Sequence, residues 1–521
     1  MFTSPYYWAL IAALAAIALP VVAFAIYIFG SVAQRKRGEE SQALTPKSDE
    51  TALDRSFSGL VERYPGQSGL KLMPGNLQAF KARMETARRA GRSLDIQYYY
   101  WKNDLTGRLL LNEIIAAAER GVRVRLLLDD INSFGFDSTY LALDSHPNIE
   151  VRLFNPSRSR DDSFRRGLEL IVKYFTATRR MHNKCWIADG RVLIAGGRNI
   201  GDAYFDASED ANFQDIDVLA IGDCVAEGAR VFDRYWNSEP ALPIRLLHKF
   251  RRARLTRMVS KLAAFCATDR ALTLLELAEG HTAQASNLDA VDGFHWSADV
   301  KLVADPPEKA SGEAQPEWLG ERINALFSSA QRSLRIISPY FIPGEAGAKT
   351  LIAAAERGTD LRVLTNSLAA TDVIAVHGAY ARYRRMLLGH GISIHELKPE
   401  PGRRRASLFG SRTASLHTKA FLADDETCFV GSFNLDPRSR SINTEMGLLF
   451  KCPRLARQLN AIFDAQTASE FSFHVAVRDG NLVWTNTHNG VAGSFRSEPF
   501  APLRRRFPAW LIAWLPIESQ L

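Results

Sequence analysis

The sequence predicts an α/β protein built as two repeated halves that share one active site, preceded by a transmembrane helix. Three observations carry that prediction. Ile115-Ala116-Ala117-Ala118-Glu119-Arg120-Gly121 recurs identically as Ile352-Ala353-Ala354-Ala355-Glu356-Arg357-Gly358, the mark of an internal duplication. Each copy is followed by a His-x-Lys-x4-Asp motif, at His182 and at His417, nearly in phase with the repeat. Finally, Tyr6 to Phe29 contains no charged residue.

That uncharged stretch, as a helix, reaches about 36 Å and could cross a hydrocarbon core of about 30 Å. No basic residue precedes it, so an uncleaved anchor over residues 1–34 is expected in preference to a signal peptide. Arg35, Lys36 and Arg37 follow it directly, which by the positive-inside rule assigns the body to the cytoplasm. Residues 35–63 read as a polar tether. The first half then runs over 64–244, a basic segment over 245–310, the second half over 311–470, and a tail over 471–521.

Each half alternates strand and helix. Leu94 to Tyr100 is rich in β-formers, the Ala-rich run ending at Gly121 reads as a helix closed by its glycine, and Val122 to Leu128 reads as a buried strand. Leu361 to Leu364 repeats that strand in the second half. Such alternation implies helices packed on a largely buried sheet. Between the halves, Arg245 to Lys261 interleaves seven basic residues with apolar ones. At the C-terminus, Arg504-Arg505-Arg506 leads into a segment containing Trp510 and Trp514. Both suit an anionic membrane surface or simple docking on the protein.

A chain of 521 residues suits two domains with attachments. Its formal charge of +8 favours a polyanionic partner, an acidic lipid surface or nucleic acid. Five scattered cysteines without a Cys-x-x-Cys argue against a disulfide framework or zinc site.

The motifs carry the chemistry. His182-x-Lys184-x4-Asp189 is followed by Asn199, and His417-x-Lys419-x4-Asp424 by Asn434, at the same separation from the histidine. On a strand, residues two apart face one way, so each His and Lys would point into one site. Two imidazoles, two ammonium groups and the amides of Asn199 and Asn434 would make a phosphate cradle. Two near-neutral histidines can supply a nucleophile and an acid that later acts as base. No metal and no cofactor is expected, the lysines taking the place of a metal. A carboxylate should orient each imidazole. Asp217, in Asp215-Ile216-Asp217, and Glu445, in Asn443-Thr444-Glu445, occupy parallel places.

These residues resemble the phospholipase D superfamily, whose signature is the duplicated motif, and most nearly the bacterial class C cardiolipin synthases. The likeness extends from about Tyr64 to the C-terminus. It rests on Leu126 to Asp130, Met181 to Lys184, Gly196 to Phe205, Leu364 to Ala370 and Gly431 to Ser439. It implies α/β/α halves meeting across a pseudo-two-fold axis, and a phosphohistidine on His182 with His417 as acid and then base. It implies that Asp189 and Asp424 hold structure around the site. It also implies transfer of a phosphatidyl group from phosphatidylethanolamine, or from phosphatidylglycerol, to a hydroxyl of phosphatidylglycerol, at a bacterial inner membrane. A phospholipase D using water as acceptor is the alternative. A nuclease fits less well, because the anchor and the Trp/Arg-rich tail suit lipid, and no nucleic-acid partner is expected. A requirement for an accessory protein leaves no trace in the sequence.

Overall fold

The computed structural model describes residues 18, 21, 22, 38–131, 133, 135–157, 179–209, 211–247, 255–280, 293–312, 318–399, 413–488, 491–515 and 518–520. The anchor expected over residues 1–34 lies almost wholly outside these, as does the middle of the basic run 245–261. Among the described residues no helix is long and apolar enough to cross a membrane.

The stretch read as a tether is attached to the body instead. Ser41 N donates to Asn237 Oδ1 at 3.1 Å and Ala43 N to Asp233 Oδ2 at 2.8 Å. Thr51 and Asp54 then form a capping box that opens a helix over Ala52–Glu62, with Leu53, Phe57 and Leu60 buried. Its polar composition conceals a 3.6-residue apolar stripe.

The strands in chain order are β1 (Ser68–Met73), β2 (Ser93–Tyr98), β3 (Arg123–Asp129), β4 (Ile149–Phe154), β5 (Cys185–Ala188), β6 (Val192–Gly196), β7 (Ala211–Gln214), β8 (Asp217–Gly222), β9 (Ala241–Pro243) and β10 (His295–Ser297). They continue as β11 (Val300–Ala304), β12 (Ser333–Ile337), β13 (Asp360–Asn366), β14 (Ser393–Leu397), β15 (Thr413–Leu416), β16 (Ala420–Ala423), β17 (Thr427–Gly431), β18 (Met446–Lys451), β19 (Ser472–Arg478), β20 (Asn481–His488) and β21 (Val491–Phe495). One sheet has the order β10-β1-β8-β6-β5-β2-β3-β4-β9, the other β11-β18-β17-β16-β12-β13-β14-β19-β20-β21. The duplication is visible in both. The parallel trio β2-β3-β4 flanked by β5 and β6 matches β12-β13-β14 flanked by β16 and β17. The Ala-rich helices Leu105–Glu119 and Gly344–Glu356 precede β3 and β13. Each is closed by a left-handed glycine, Gly121 at φ 94° and Gly358 at φ 93°, a conformation that a Cβ would penalise.

The halves share an apolar layer. Ile187, Leu193 and Val218 of the first sheet and Leu422, Val430 and Leu448 of the second belong to one buried cluster with Trp236 and Phe463. Separate clusters on the outer sides hold the remaining helices to each sheet. The inter-half segment ends as structure common to both, since β10 edges the first sheet and β11 the second. The tail extends the second sheet by β19, β20 and β21.

Candidate active site

A small third sheet builds one side of the site. β7 and β15 pair in parallel, joining the halves. At its end, the Gln214 carbonyl accepts from His417 N at 2.8 Å and from Thr418 N at 3.0 Å. The next residue, Asp215, therefore meets His417, whose Nδ1–H donates to Asp215 Oδ2 at 2.6 Å. The other side repeats the device. Met181 bridges Thr444 in parallel, His182 N donates to the Thr444 carbonyl at 2.9 Å, and the following residue, Glu445, accepts from His182 Nδ1–H at 2.8 Å. Each histidine is thus oriented by a carboxylate of the opposite half.

This corrects the expectation for Asp217. That carboxylate is buried on Arg83 at 2.8 Å and Arg198 at 3.4 Å, away from both histidines. Sheet register explains the difference. Gly196 pairs with Asp217 and Gly431 with Gly447, so Asp217 occupies the place of Gly447. Asp215 occupies that of Glu445, two residues earlier. The sequence contained this signal but not the register needed to read it. Gly197 fits the same design, because a Cβ there would lie 2.4 Å from Asp215 Oδ1.

His182 and Lys184 lie just ahead of β5, and His417 and Lys419 just ahead of β16. The motif side chains leave the extended segments leading into the strands rather than the strands themselves. Lys184 Nζ donates to its own motif's His182 carbonyl at 2.6 Å, and Lys419 Nζ to the His417 carbonyl. All four side chains are nearly buried. Asp129 and Asn366 secure the residues just before the histidines, accepting from Met181 N at 2.8 Å and Leu416 N at 3.0 Å.

Asp189 and Asp424 point away from this centre. Asp189 accepts from the backbone N–H groups of Gly91, Arg92 and Ser93, and Asp424 from those of Gln331, Arg332 and Ser333, at 2.7–3.2 Å. Both have positive φ, 53° and 55°. They pin the start of β2 and β12 to the turns after β5 and β16. Asn199 and Asn434 are buried, and their Oδ1 atoms have no hydrogen-bond partner among the described residues. The Asn199 amide donates to Tyr204 Oη at 2.9 Å, so one of the donors expected for a phosphate is directed at an aromatic wall. Tyr204 and Phe213 pack on the His417 ring at 5.1 and 5.0 Å, and Tyr99 on the His182 ring at 5.0 Å. Tyr99 departs in this from Tyr98, which the core absorbs.

The electrostatics follow from burial. It lowers His182 well below the ordinary imidazole range, and Lys184, Lys419 and His417 push the same way. Burial also lowers His417, Lys419 adds to it, and the Asp215 carboxylate opposes it. Lys419 is brought down to about 8 by burial, with Asp215 and Glu445 holding it from falling further. The two carboxylates differ. Burial raises Glu445 to about 7 against Lys184 and the hydroxyls of Ser432 and Ser439, which donate to it. Burial also acts to raise Asp215, but the His417 hydrogen bond and the charges of His417, Lys419 and Arg198 outweigh it and leave Asp215 below the ordinary range. Burial therefore disfavours the charged form most at His182, whereas Asp215 opposes that effect at His417, so His417 is the better able to carry a proton and His182 is the one biased towards an unprotonated Nε2. That is the form of a nitrogen nucleophile or a general base.

Comparison with known proteins defines the class. The family model described as cardiolipin synthase, PLD-like domain, matches residues 84–236 and 323–467, one copy in each half. The chain belongs to this family of the phospholipase D superfamily and is an enzyme of that superfamily. It is 39% identical over 472 residues to cardiolipin synthase C of Escherichia coli, covering 88% of this chain and 97% of that protein. It is 25% identical over 424 residues to a cardiolipin synthase of Staphylococcus aureus, covering 81% and 72%. In fold it is similar to a phosphatidylserine synthase from Haemophilus influenzae, with a TM-score of 0.54, 14% identity, and 81% and 91% of the two chains covered.

Proposed function

We propose that this enzyme is a cardiolipin synthase that passes a phosphatidyl group from phosphatidylethanolamine to a hydroxyl of phosphatidylglycerol. The observation that carries the reading is the crossed pair of carboxylate-bound imidazoles, His182 on Glu445 and His417 on Asp215, flanked by two buried lysines. In the first step His182 Nε2 forms a bond to phosphorus while the bond from phosphorus to the ethanolamine oxygen breaks. His417, entering the step as an imidazolium beside Asp215, gives its Nε2 proton to that oxygen. In the second step His417 takes the proton of the incoming glycerol hydroxyl, whose oxygen displaces His182 from phosphorus. Lys184, Lys419, Asn434 and the Asn199 N–H not engaged by Tyr204 are assigned to the phosphate oxygens, where donors placed for the transition state matter most. Asp189 and Asp424 act only through the backbone they hold.

The purified full-length enzyme, given phosphatidylethanolamine and phosphatidylglycerol without divalent metal, is expected to release cardiolipin and free ethanolamine. Phosphatidic acid as the sole product would replace the synthase by a lipase. Cardiolipin formed from phosphatidylglycerol alone, with no ethanolamine released, would change the donor.

In this reading the enzyme works at the bacterial inner membrane, held by the span over residues 1–34 with its catalytic body in the cytoplasm. The C-terminal helix Leu503–Trp514 supports a second contact. One face packs on the helix Ile374–Gly389, with Gly378 tight under Ala509. On the other, Leu503, Phe507, Trp510 and Trp514 are 79%, 65%, 58% and 75% exposed, beside the exposed Arg504. Aromatic and basic residues on one stripe suit an anionic lipid interface. The W510E/W514E enzyme is expected to lose about tenfold in activity on phospholipid vesicles and to keep its activity on monomerically dispersed short-chain lipids. Equal activity on vesicles would remove this helix from the membrane contact.

A further inference from the structure

The acids at the catalytic centre are committed to it, with one exception. Glu445 serves His182, Ser432 and Ser439, and Asp215 serves His417. Asp436 caps its own helix through Ser439 N at 2.7 Å. Asp372 differs: it is exposed at the rim, and Tyr340 Oη donates to its Oδ2 at 2.8 Å.

The fold determines which side of the centre Asp372 occupies. It sits in the loop after the C-terminal end of β13, where α/β sheets gather ligands. β13 ends at Asn366, whose side chain holds Leu416, the residue before His417, in both directions at 2.9 and 3.0 Å. Tyr340 follows β12 in the neighbouring loop. Ser338 Oγ donates to the Tyr340 carbonyl at 2.9 Å and accepts from Leu435 N at 3.2 Å, next to Asn434. The reach of the charge agrees. Lys419, lowered by burial, is held up by Asp372 along with nearer acids. Tyr204, raised by burial, is raised further by Asp215 and Asp372. Both residues adjoin His417. On the outer flank, Arg505 donates to the carbonyl of Thr371.

The duplication supplies no counterpart. The repeat offset that aligns Leu127 with Leu364 sets Gly135 opposite Asp372. At this loop the second half therefore carries an exposed carboxylate where the first has a glycine, with the Tyr340 phenol next to it.

We infer that Asp372 and Tyr340 form the subsite for the ammonium of the donor's leaving group. The inference rests on the proposed ethanolamine-bearing donor and names where its headgroup lies. With His182 attacking phosphorus, the leaving oxygen departs in line on the opposite side, at His417, and carries the aminoethyl group outward past Tyr204. An ammonium there meets the Asp372 carboxylate, which the Tyr340 hydroxyl holds in place. Once ethanolamine has gone, the uncharged glycerol of the acceptor enters the same space without needing the carboxylate.

The test compares two donors, phosphatidylethanolamine and its N-acetyl derivative, which keeps the phosphodiester but lacks the positive charge. Full-length wild-type enzyme and D372N, in identical vesicles with phosphatidylglycerol as acceptor, are assayed for cardiolipin. Wild type should favour the charged donor by about tenfold, the scale of one charge-assisted hydrogen bond, and D372N should lose most of that preference by slowing on phosphatidylethanolamine alone. Equal slowing on both donors would reduce Asp372 to a support for Tyr340 and overturn the subsite. Wild-type enzyme that releases no ethanolamine would overturn the donor reading itself, and the subsite with it. Y340F, which keeps the carboxylate, is expected to retain the preference; its loss there with D372N unchanged would move the recognition to the phenol and likewise overturn the assignment.

Discussion

His182→Ala is expected to lower phosphatidyl transfer by about four orders of magnitude or more, in keeping with loss of a nucleophile from a concerted group. The matching change at His417 should have a similar effect on turnover but a different effect on the intermediate. Without His182 no phosphatidyl group can join the protein. Without His417 a slow first step still can, and the second step lacks its base. Incubation with radiolabelled phosphatidylethanolamine, followed by denaturation in alkali to protect an acid-labile phosphorus–nitrogen bond, should leave label on H417A and none on H182A. Label on H182A alone would reverse the assignment of nucleophile and acid.

The second large effect separates two aspartates that stand two residues apart. Asp215→Asn is expected to cost about three orders of magnitude in turnover, because an amide no longer fixes the His417 tautomer or stabilises its charged form. The fold should survive. Asp217→Asn should do the opposite. It leaves Arg83 and Arg198 buried, with side chains 1% and 0% exposed, without their shared anion, a loss of about 3–5 kcal/mol. Folded D217N molecules should keep much of their activity while unfolding at lower urea. Thermal or urea unfolding alongside specific activity distinguishes the two. An inactive but fully stable D217N would restore the first reading of that residue.

The contrast between these aspartates marks what the sequence made legible. The duplication, the two motifs and the strand-helix alternation are local patterns, and they determine where His182, Lys184, His417 and Lys419 fall. Glu445 was also readable, since it precedes β18 as the only acid of its triplet. Asp215 and Asp217 are both acids, both on one side of an extended segment by parity, and only the pairing of β6 with β8 decides between them. Tyr99 and Phe213 are hidden for a related reason, because aromatic residues in a β-rich run look alike whether they face a core or a histidine. The helix Ala52–Glu62 was legible in its capping box and was masked by the surrounding polar composition. Long-range pairing, which no window of sequence contains, accounts for the rest.

The crossing of the carboxylates bears on how such a centre could have arisen. A polypeptide carrying one half would hold a histidine and a lysine but would have its carboxylate aimed at a histidine it did not possess. Two copies facing each other would complete both sets at once, so function in the unduplicated form demands a symmetric pair. Joining the copies in one chain freed the two sides to diverge while keeping them at fixed stoichiometry. An uncrossed arrangement would have allowed one half to decay; this one makes each half the guardian of the other's chemistry.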